Sequence, residues 1–493
     1  MTDRFYYSKI ISKTSIEIPA FETGQTFESK YNPQREAETL LTTIEKEYSF
    51  FLVCGIGSGT FIKELSLRFP KAKIIAVENS VSDINFISEF PSFISIKNNP
   101  QITIIPKEDC KKTLIQNYLP AIYPDAKIIF QRNWALHNEE TFNYLKEEIT
   151  QALEEIKYDF SVQSQFGKLW QDNIIKNLSI FNTLPCSRKL SPDLTKTALV
   201  VAAGPSLDKF IQQINKNREN YYIIATDTAS RSLTQNNIVS DLIVSIDGQF
   251  LSYNHFFNND YKNTAFLFDL CANSSIVEKL KKYSDKIFFF SNSHPLSEYF
   301  RKRTNGIQNI YTGSGTVTIA ALDFALKAGF KNIEVCGADF SYINNKAYTK
   351  GTYLDFLYYK NSCKIHNAEY SFNKLMFRTE LEKISDKACT SSVLKEYKKS
   401  FENYLGLCNC TFTHDKDLYI INNNMQKPEK SENQNCISIQ EAYKDLIENA
   451  HNYEAVFLPY IAWLRNQKDY KELSFDKLFF LAHSAFVSYN ILI

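Results

Sequence analysis

Ala198-Leu-Val-Val-Ala-Ala-Gly204-Pro205-Ser206-Leu207-Asp208 reads as a buried strand that breaks abruptly into a turn and then a helix. Leu199, Val200 and Val201 form a continuous apolar run, the pattern of a parallel strand covered on both faces. Gly204 lets the backbone approach a ligand, Pro205 presets φ for a first helical turn, and Ser206 or Asp208 is placed to cap the helix. Free N–H groups and the positive end of the helix dipole then face whatever lies beyond the strand, which suits a phosphate. On this segment alone, an ordinary strand-to-helix turn without a ligand reads the same way.

The neighbouring sequence repeats the pattern. Further apolar runs at Tyr222–Thr226, Leu242–Ile246, Phe266–Leu270, Ile287–Phe290 and Ile333–Cys336 predict a parallel sheet, and each ends in small or polar residues. These are Thr226-Asp227-Thr228, Asp247-Gly248-Gln249, Asp269 with Asn273, Ser291-Asn292-Ser293-His294, and Gly337-Ala338-Asp339. Ligands of open parallel sheets bind at the carboxyl ends of strands, so these groups are expected to converge on one crevice.

A second small-residue turn, Thr312-Gly313-Ser314-Gly315-Thr316, opens the helical run Val317 to Ala328 and adds a second set of backbone donors. Asp227 and Asp247 suit ribose hydroxyls or a cytosine amine, and equally a divalent cation. Tyr342, Tyr348, Lys350 and Tyr353 follow Asp339, and phenolic donors beside a phosphate stabilise the charge that grows on a departing nucleotide. His366 is the histidine nearest this loop and His294 ends the fifth strand, so the two compete as general base.

An earlier α/β block is outlined by Phe50-Phe51-Leu52-Val53-Cys54, the turn Gly55-Ile-Gly57-Ser-Gly59, and a second strand that ends in Glu78. A glycine turn with an acid about twenty residues on is the outline of a dinucleotide or S-adenosylmethionine site, although the motif also persists as plain architecture. Helical patterns over Glu139 to Ile156 and around Phe166 to Leu178 lead to a boundary at Pro185 to Pro192. Beyond about 376 the chain turns charged and helical, as in Leu381-Glu-Lys-Ile384, with an exposed loop over Asn422 to Asn435.

At 493 residues the chain has room for two or three domains of about 100–200 residues. Its 56 Lys and Arg nearly cancel 55 Asp and Glu, so no global field argues for nucleic acid. The ten cysteines are scattered without zinc or redox spacing, which suggests reduced thiols in a cytoplasmic protein. No signal peptide or membrane-spanning run is apparent.

In their order, Gly204-Pro205-Ser206-Leu207, Thr226-Asp227, Ser245-Ile-Asp247, the Thr312–Thr318 turn and Gly337-Ala-Asp339-Phe340 resemble the central domain of the Maf (motility-associated factor) proteins. Ser29-Lys30-Tyr31-Asn32-Pro33, with the first block, also resembles the Maf N-terminal region. The resemblance implies transfer of a nonulosonic acid, pseudaminic or legionaminic, from its CMP ester to Ser or Thr of flagellin. The motif order is similar as well to bacterial sialyltransferases, which carry Asn where this chain has Ala203, Asp227 and Asp247. It also resembles an archaeal 6-hydroxymethylpterin diphosphokinase, which uses ATP and magnesium.

Together these features predict an α/β protein with two successive Rossmann-like parallel-sheet domains and a helical C-terminal domain, divided at residues 1–190, 191–375 and 376–493. The expected function is an inverting, cytoplasmic protein O-glycosyltransferase that needs no cofactor beyond its CMP-sugar donor, with no resident metal assigned. The alternatives are the ATP-dependent diphosphokinase and a non-catalytic flagellin-binding chaperone. His366, Tyr348 and Tyr353 are the expected catalytic residues. Gly204, Pro205, Ser206, Asp227, Asp247, Gly313, Ser314, Gly315, Thr316 and Asp339 are expected to hold the donor.

Overall fold

A computed structural model describes residues 5–184, 190–256, 261, 263–313, 315–415, 417–424 and 436–489. The chain forms two compact units, residues 1–167 with 458–479, and residues 168–457 with 480–493.

The first unit opens with an antiparallel pair, β1 (Tyr6–Ile11) and β2 (Glu17–Phe21). A parallel sheet follows, built from β3 (Phe50–Cys54), β4 (Lys73–Glu78), β5 (Ile102–Pro106) and β6 (Ala126–Phe130) in the order β5-β4-β3-β6. Every residue of β3 is buried, as a central parallel strand covered on both faces requires. The two helices expected over 139–178 are one continuous helix, Glu139–Asn182. Gly167 sits in the middle of this helix for a packing reason. A Cβ there would lie 1.7 Å from the carbonyl oxygen of Pro459, so only glycine admits that approach.

The second unit is built on a nine-stranded sheet. Six of its strands are β7 (Thr197–Val201), β8 (Tyr221–Thr226), β9 (Leu242–Ser245), β10 (Ala265–Asp269), β11 (Ile287–Ser291) and β12 (Ile307–Asn309). They are joined by β13 (Asn332–Cys336) and, later in the chain, two strands described below. From β7 the sheet runs one way through β8 to β12 and the other way to β13, all parallel. The reversal of strand order therefore falls between β7 and β13, where open α/β sheets place their ligand crevice.

The region beyond 376 is helical over Ser392–Leu407, Ile439–Glu448, Leu458–Arg465 and Phe475–Ser488. It also carries strands. Glu382–Ser385, read from sequence as helical, forms a small antiparallel sheet with its neighbours. The sheet comprises β14 (Tyr342–Ile343), β15 (Glu382–Ser385) and β16 (Ala388–Thr390). All four β15 residues are exposed, so hairpin pairing rather than burial fixes them. A second hairpin, β17 (Cys410–Asp415) and β18 (Leu418–Asn423), extends the large sheet when β18 pairs antiparallel with β13. Asn422 and Asn423 therefore belong to a strand, and most of the loop expected at 422–435 lies outside the described residues. Among the described residues no helix is long and apolar enough to cross a membrane.

Candidate active site

Two strand ends meet at the reversal of the large sheet. The Gly204 N–H donates to the Gly337 carbonyl at 2.8 Å, and the Ser206 N–H donates to Asp339 Oδ2 at 2.8 Å. A Cβ on Gly204 would lie 2.4 Å from Gly337 O and 2.5 Å from Asp339 Oδ2. The glycine is thus demanded by the facing loop of the chain itself. Gly337 answers with φ +70° and leaves no room for a Cβ, which would lie 2.2 Å from Ala202 O. Burial holds the Asp339 carboxyl above its ordinary range, opposed by the Ser206 bonds.

Neither expected side-chain cap forms on the helix Leu207–Lys216. Ser206 makes no capping bond to the helix, and its buried hydroxyl lies beside the Asp339 carboxyl. Asp208 Oδ1 instead accepts from Thr349 Oγ1 at 2.5 Å and Lys350 N at 3.0 Å, which ties down the loop before Tyr353.

The next two strand ends bring together a group that sequence identifies only in part. Asp227 follows β8, is 4% exposed, and accepts from Thr228 N at 2.6 Å and Ser245 Oγ at 2.7 Å. Asp247 follows β9 and accepts the Gln249 N–H at 2.8 Å, and burial raises its carboxyl above the usual range. His255, in the 3-10 turn Phe250–Phe256, interacts electrostatically with both acids. Its ring stands edge-on to Tyr353, with centroids 4.6 Å apart. Its buried Nδ1 has no partner among the described residues. Burial lowers the imidazole pKa from 6.5, and the two carboxylates oppose that shift, so the ring is a neutral proton acceptor at neutral pH. Burial and the fields of Tyr348, Tyr358, Asp247 and Asp227 push Tyr353 up to about 12, so it remains a donor. Tyr348 is also held protonated by burial and packs beside a small core of Tyr342, Ala347 and Met376.

His255 is the functional candidate missed in the sequence. The available signal was its position eight residues after a strand-end acid.

His366 is exposed on the turn between the helices Tyr353–Lys360 and Ala368–Met376, with its ring 5.1 Å from Tyr370. His294 caps the helix Pro295–Arg303 by accepting the Leu296 N–H through Nδ1. Burial lowers it to about 3. In the second small-residue turn, the Gly315 and Thr316 N–H groups both donate to Thr312 O, while Thr316 Oγ1 caps the helix Val317–Ala328. Gly313 takes φ +56° and Gly315 φ +85°, whereas Ser314 lies outside the described residues. Asn173 and Asn177, one helical turn apart, fasten the loops after β9 and β10. Their amides donate to Gly248 O and Cys271 O, and to Leu270 O and Ala272 O.

In the first unit the glycine turn is filled by its own chain. A Cβ on Gly57 would lie 2.2 Å from the Phe27 ring, and one on Gly55 would lie 2.8 Å from Trp134. The Glu28 carboxyl accepts Ser58 N at 2.8 Å and Ser58 Oγ at 2.5 Å, in the place a bound anion would take. Glu78 is consumed as well, accepting from Ile56 N, Tyr6 OH, Asn79 N and Trp134 Nε1.

Residues 171–345 match the family described as 6-hydroxymethylpterin diphosphokinase MptE-like, so the second unit carries an MptE-like domain. Over 98% of its length the chain has the fold of the MAf glycosyltransferase from Magnetospirillum magneticum AMB-1. The TM-score is 0.52 with 13% identity, covering 86% of that chain. Three proteins of Treponema pallidum (strain Nichols), each described as uncharacterized, are similar in sequence. They are 35% identical over 141 residues, 33% over 139 and 26% over 209. The aligned part covers 28%, 28% and 42% of this chain, but 66%, 49% and 43% of theirs.

Proposed function

We propose that this protein is a cytoplasmic, inverting glycosyltransferase that moves a nonulosonic acid from its CMP ester to a Ser or Thr hydroxyl of flagellin. The observation that carries this reading is the His255–Tyr353 pair set against Asp227 and Asp247 at the carboxyl ends of the sheet. The whole-chain likeness to the MAf fold supports it. His255, neutral and buried, takes the proton from the acceptor hydroxyl as its oxygen attacks the anomeric carbon. The bond from that carbon to the phosphate oxygen breaks, and CMP leaves with the electron pair. Tyr348 and Tyr353 donate to the departing phosphate. Asp227 and Asp247 orient the ribose and base. The free thiols of the nine described cysteines agree with a reducing compartment.

A second reading, an ATP- and magnesium-dependent pterin diphosphokinase, is favoured by the match over 171–345. Asp227 and Asp247 are the carboxylates it would use. Asp227 already accepts on both oxygens, from Thr228 N and Ser245 Oγ, bonds that a metal ion there would have to share.

Thermal shifts with CMP, UMP, and ATP with magnesium separate the readings. Selective stabilisation by CMP without magnesium is expected. Stabilisation by ATP with magnesium alone would overturn the transferase, and no shift with any nucleotide would point to a flagellin-binding chaperone.

A further inference from the structure

We propose that the open edge of β6, with the cavity beside it, is a docking site for an extended acidic segment of a partner protein. The site lies in the first unit and is independent of the glycosyltransferase reading.

β6 ends the order β5-β4-β3-β6, so among the described residues one of its edges has no strand partner. The Phe50 N–H donates to Asp125 O and the Gln131 N–H to Cys54 O, so residues 125, 127, 129 and 131 face β3. The N–H and C=O groups of Ala126, Ile128 and Phe130 therefore point to the open side, roughly 6.7 Å apart along the strand. Unpaired strand edges of this kind template another extended chain.

Beside this edge lies a cavity of about 500 Å³, between 127–133 and the helix Pro33–Thr42. Phe27, Leu40, Ile44 and Phe61 give it an apolar wall that suits alternate side chains of a strand. Glu28, 8% exposed, also lines it and keeps Oε2 without a partner among the described residues. Burial pushes this carboxyl up to about 8, so near neutrality it carries a proton to offer a peptide carbonyl.

Charge selects the occupant. Lys127 and Arg132 line the cavity without a carboxylate partner among the described residues, although Lys127 lies 5.9 Å from the Tyr48 ring. The remaining acid, Glu36, is engaged by the Ser29 N–H. A second copy of this chain fits poorly, because two-fold pairing of β6 edges sets these cations against their own equivalents.

The test is fluorescence anisotropy of the full-length protein with a labelled octapeptide of alternating valine and glutamate, against the matched valine–lysine peptide. The glutamate peptide is expected to bind more weakly as salt rises. Its affinity should fall at least tenfold in Ile128→Pro, which removes an outward N–H and leaves the β3 ladder intact, and in the double variant Lys127→Glu, Arg132→Glu. The proposal is overturned if the glutamate peptide does not bind or if the lysine peptide binds equally. It is also overturned if either variant binds as the native chain does. Should Ile128→Pro fail to fold, the charge reversal alone decides. A dimer abolished by Ile128→Pro would assign the edge to a second copy and overturn the proposal as well.

Discussion

The Asp339 carboxylate accepts the Ser206 backbone N–H at 2.8 Å, closing from within the turn whose sequence suits a phosphate. Glu28 does the same to Ser58 in the first unit, also at 2.8 Å. Both carboxyls fill from within the place an external anion would take at a helix N-terminus, and both are raised by burial. A ligand phosphate at the Gly204 turn must therefore compete with Asp339 for the Ser206 amide.

Asp339→Asn keeps an acceptor for Ser206 and removes the competing charge. Its affinity for CMP is expected to rise by about 1 kcal/mol, roughly fivefold in Kd. Titration calorimetry reads this directly, and unchanged or weaker binding would show that the phosphate lies elsewhere. In the native protein the same affinity should improve as pH falls toward the raised Asp339 pKa.

Glu28 makes the stability of the first unit depend on pH in an unusual direction. Its folded pKa, about 8, lies above the ordinary 4.5, so the folded state binds more protons across that interval. The stabilisation is complete below about 4.5 and is lost as pH rises through about 8. Glu28→Gln keeps the acceptor for Ser58 without the titration. Relative to the native chain, its melting temperature should be similar at pH 5 and should gain steadily up to pH 9. Parallel melting curves at the two ends would refute the assignment.

The strand–turn–helix at 198–216 is legible because an apolar run, a Gly-Pro-Ser turn and an amphipathic helix are all local signals. The partner of that turn is not, since Asp339 lies 133 residues away and only the strand order β7–β13 brings it near. What fills the Gly55–Gly59 turn is hidden for the same reason. Its glycines are real, with φ of +93°, +62° and +86°, but the Phe27 and Trp134 rings that fill it come from distant segments. His255 carries no motif, because a 3-10 turn leaves no periodic pattern and its meaning depends on Asp227 and Tyr353 folding against it. The β17–β18 hairpin is hidden in a charged region whose strands are half exposed.

His255→Gln should lower kcat for sugar transfer by about 10²–10⁴, with the KM for donor little changed. In the native enzyme kcat/KM should fall in acid along a limb whose pKa lies below the ordinary 6.5, and the variant should lack that limb. His366→Gln, altering an exposed turn, should retain near-native transfer. If instead the His366 variant loses activity and the His255 variant keeps it, the base is the exposed histidine.

The long helix holds the acidic strand ends through two amides, and this makes a stability prediction. Asn177 donates to Leu270 O and Ala272 O, while Asn173 donates to Gly248 O and Cys271 O and accepts from Ser274. Both side chains are buried, so truncation strands carbonyls away from water. Asn177→Ala should cost about 2–4 kcal/mol in denaturant unfolding, because two buried acceptors lose their donor. Asn173→Ala should cost at least as much, and it should also weaken CMP binding, since the Gly248 carbonyl it holds is adjacent to Asp247. A loss of stability with unchanged CMP affinity would separate this clamp from the nucleotide site and leave it a purely architectural device.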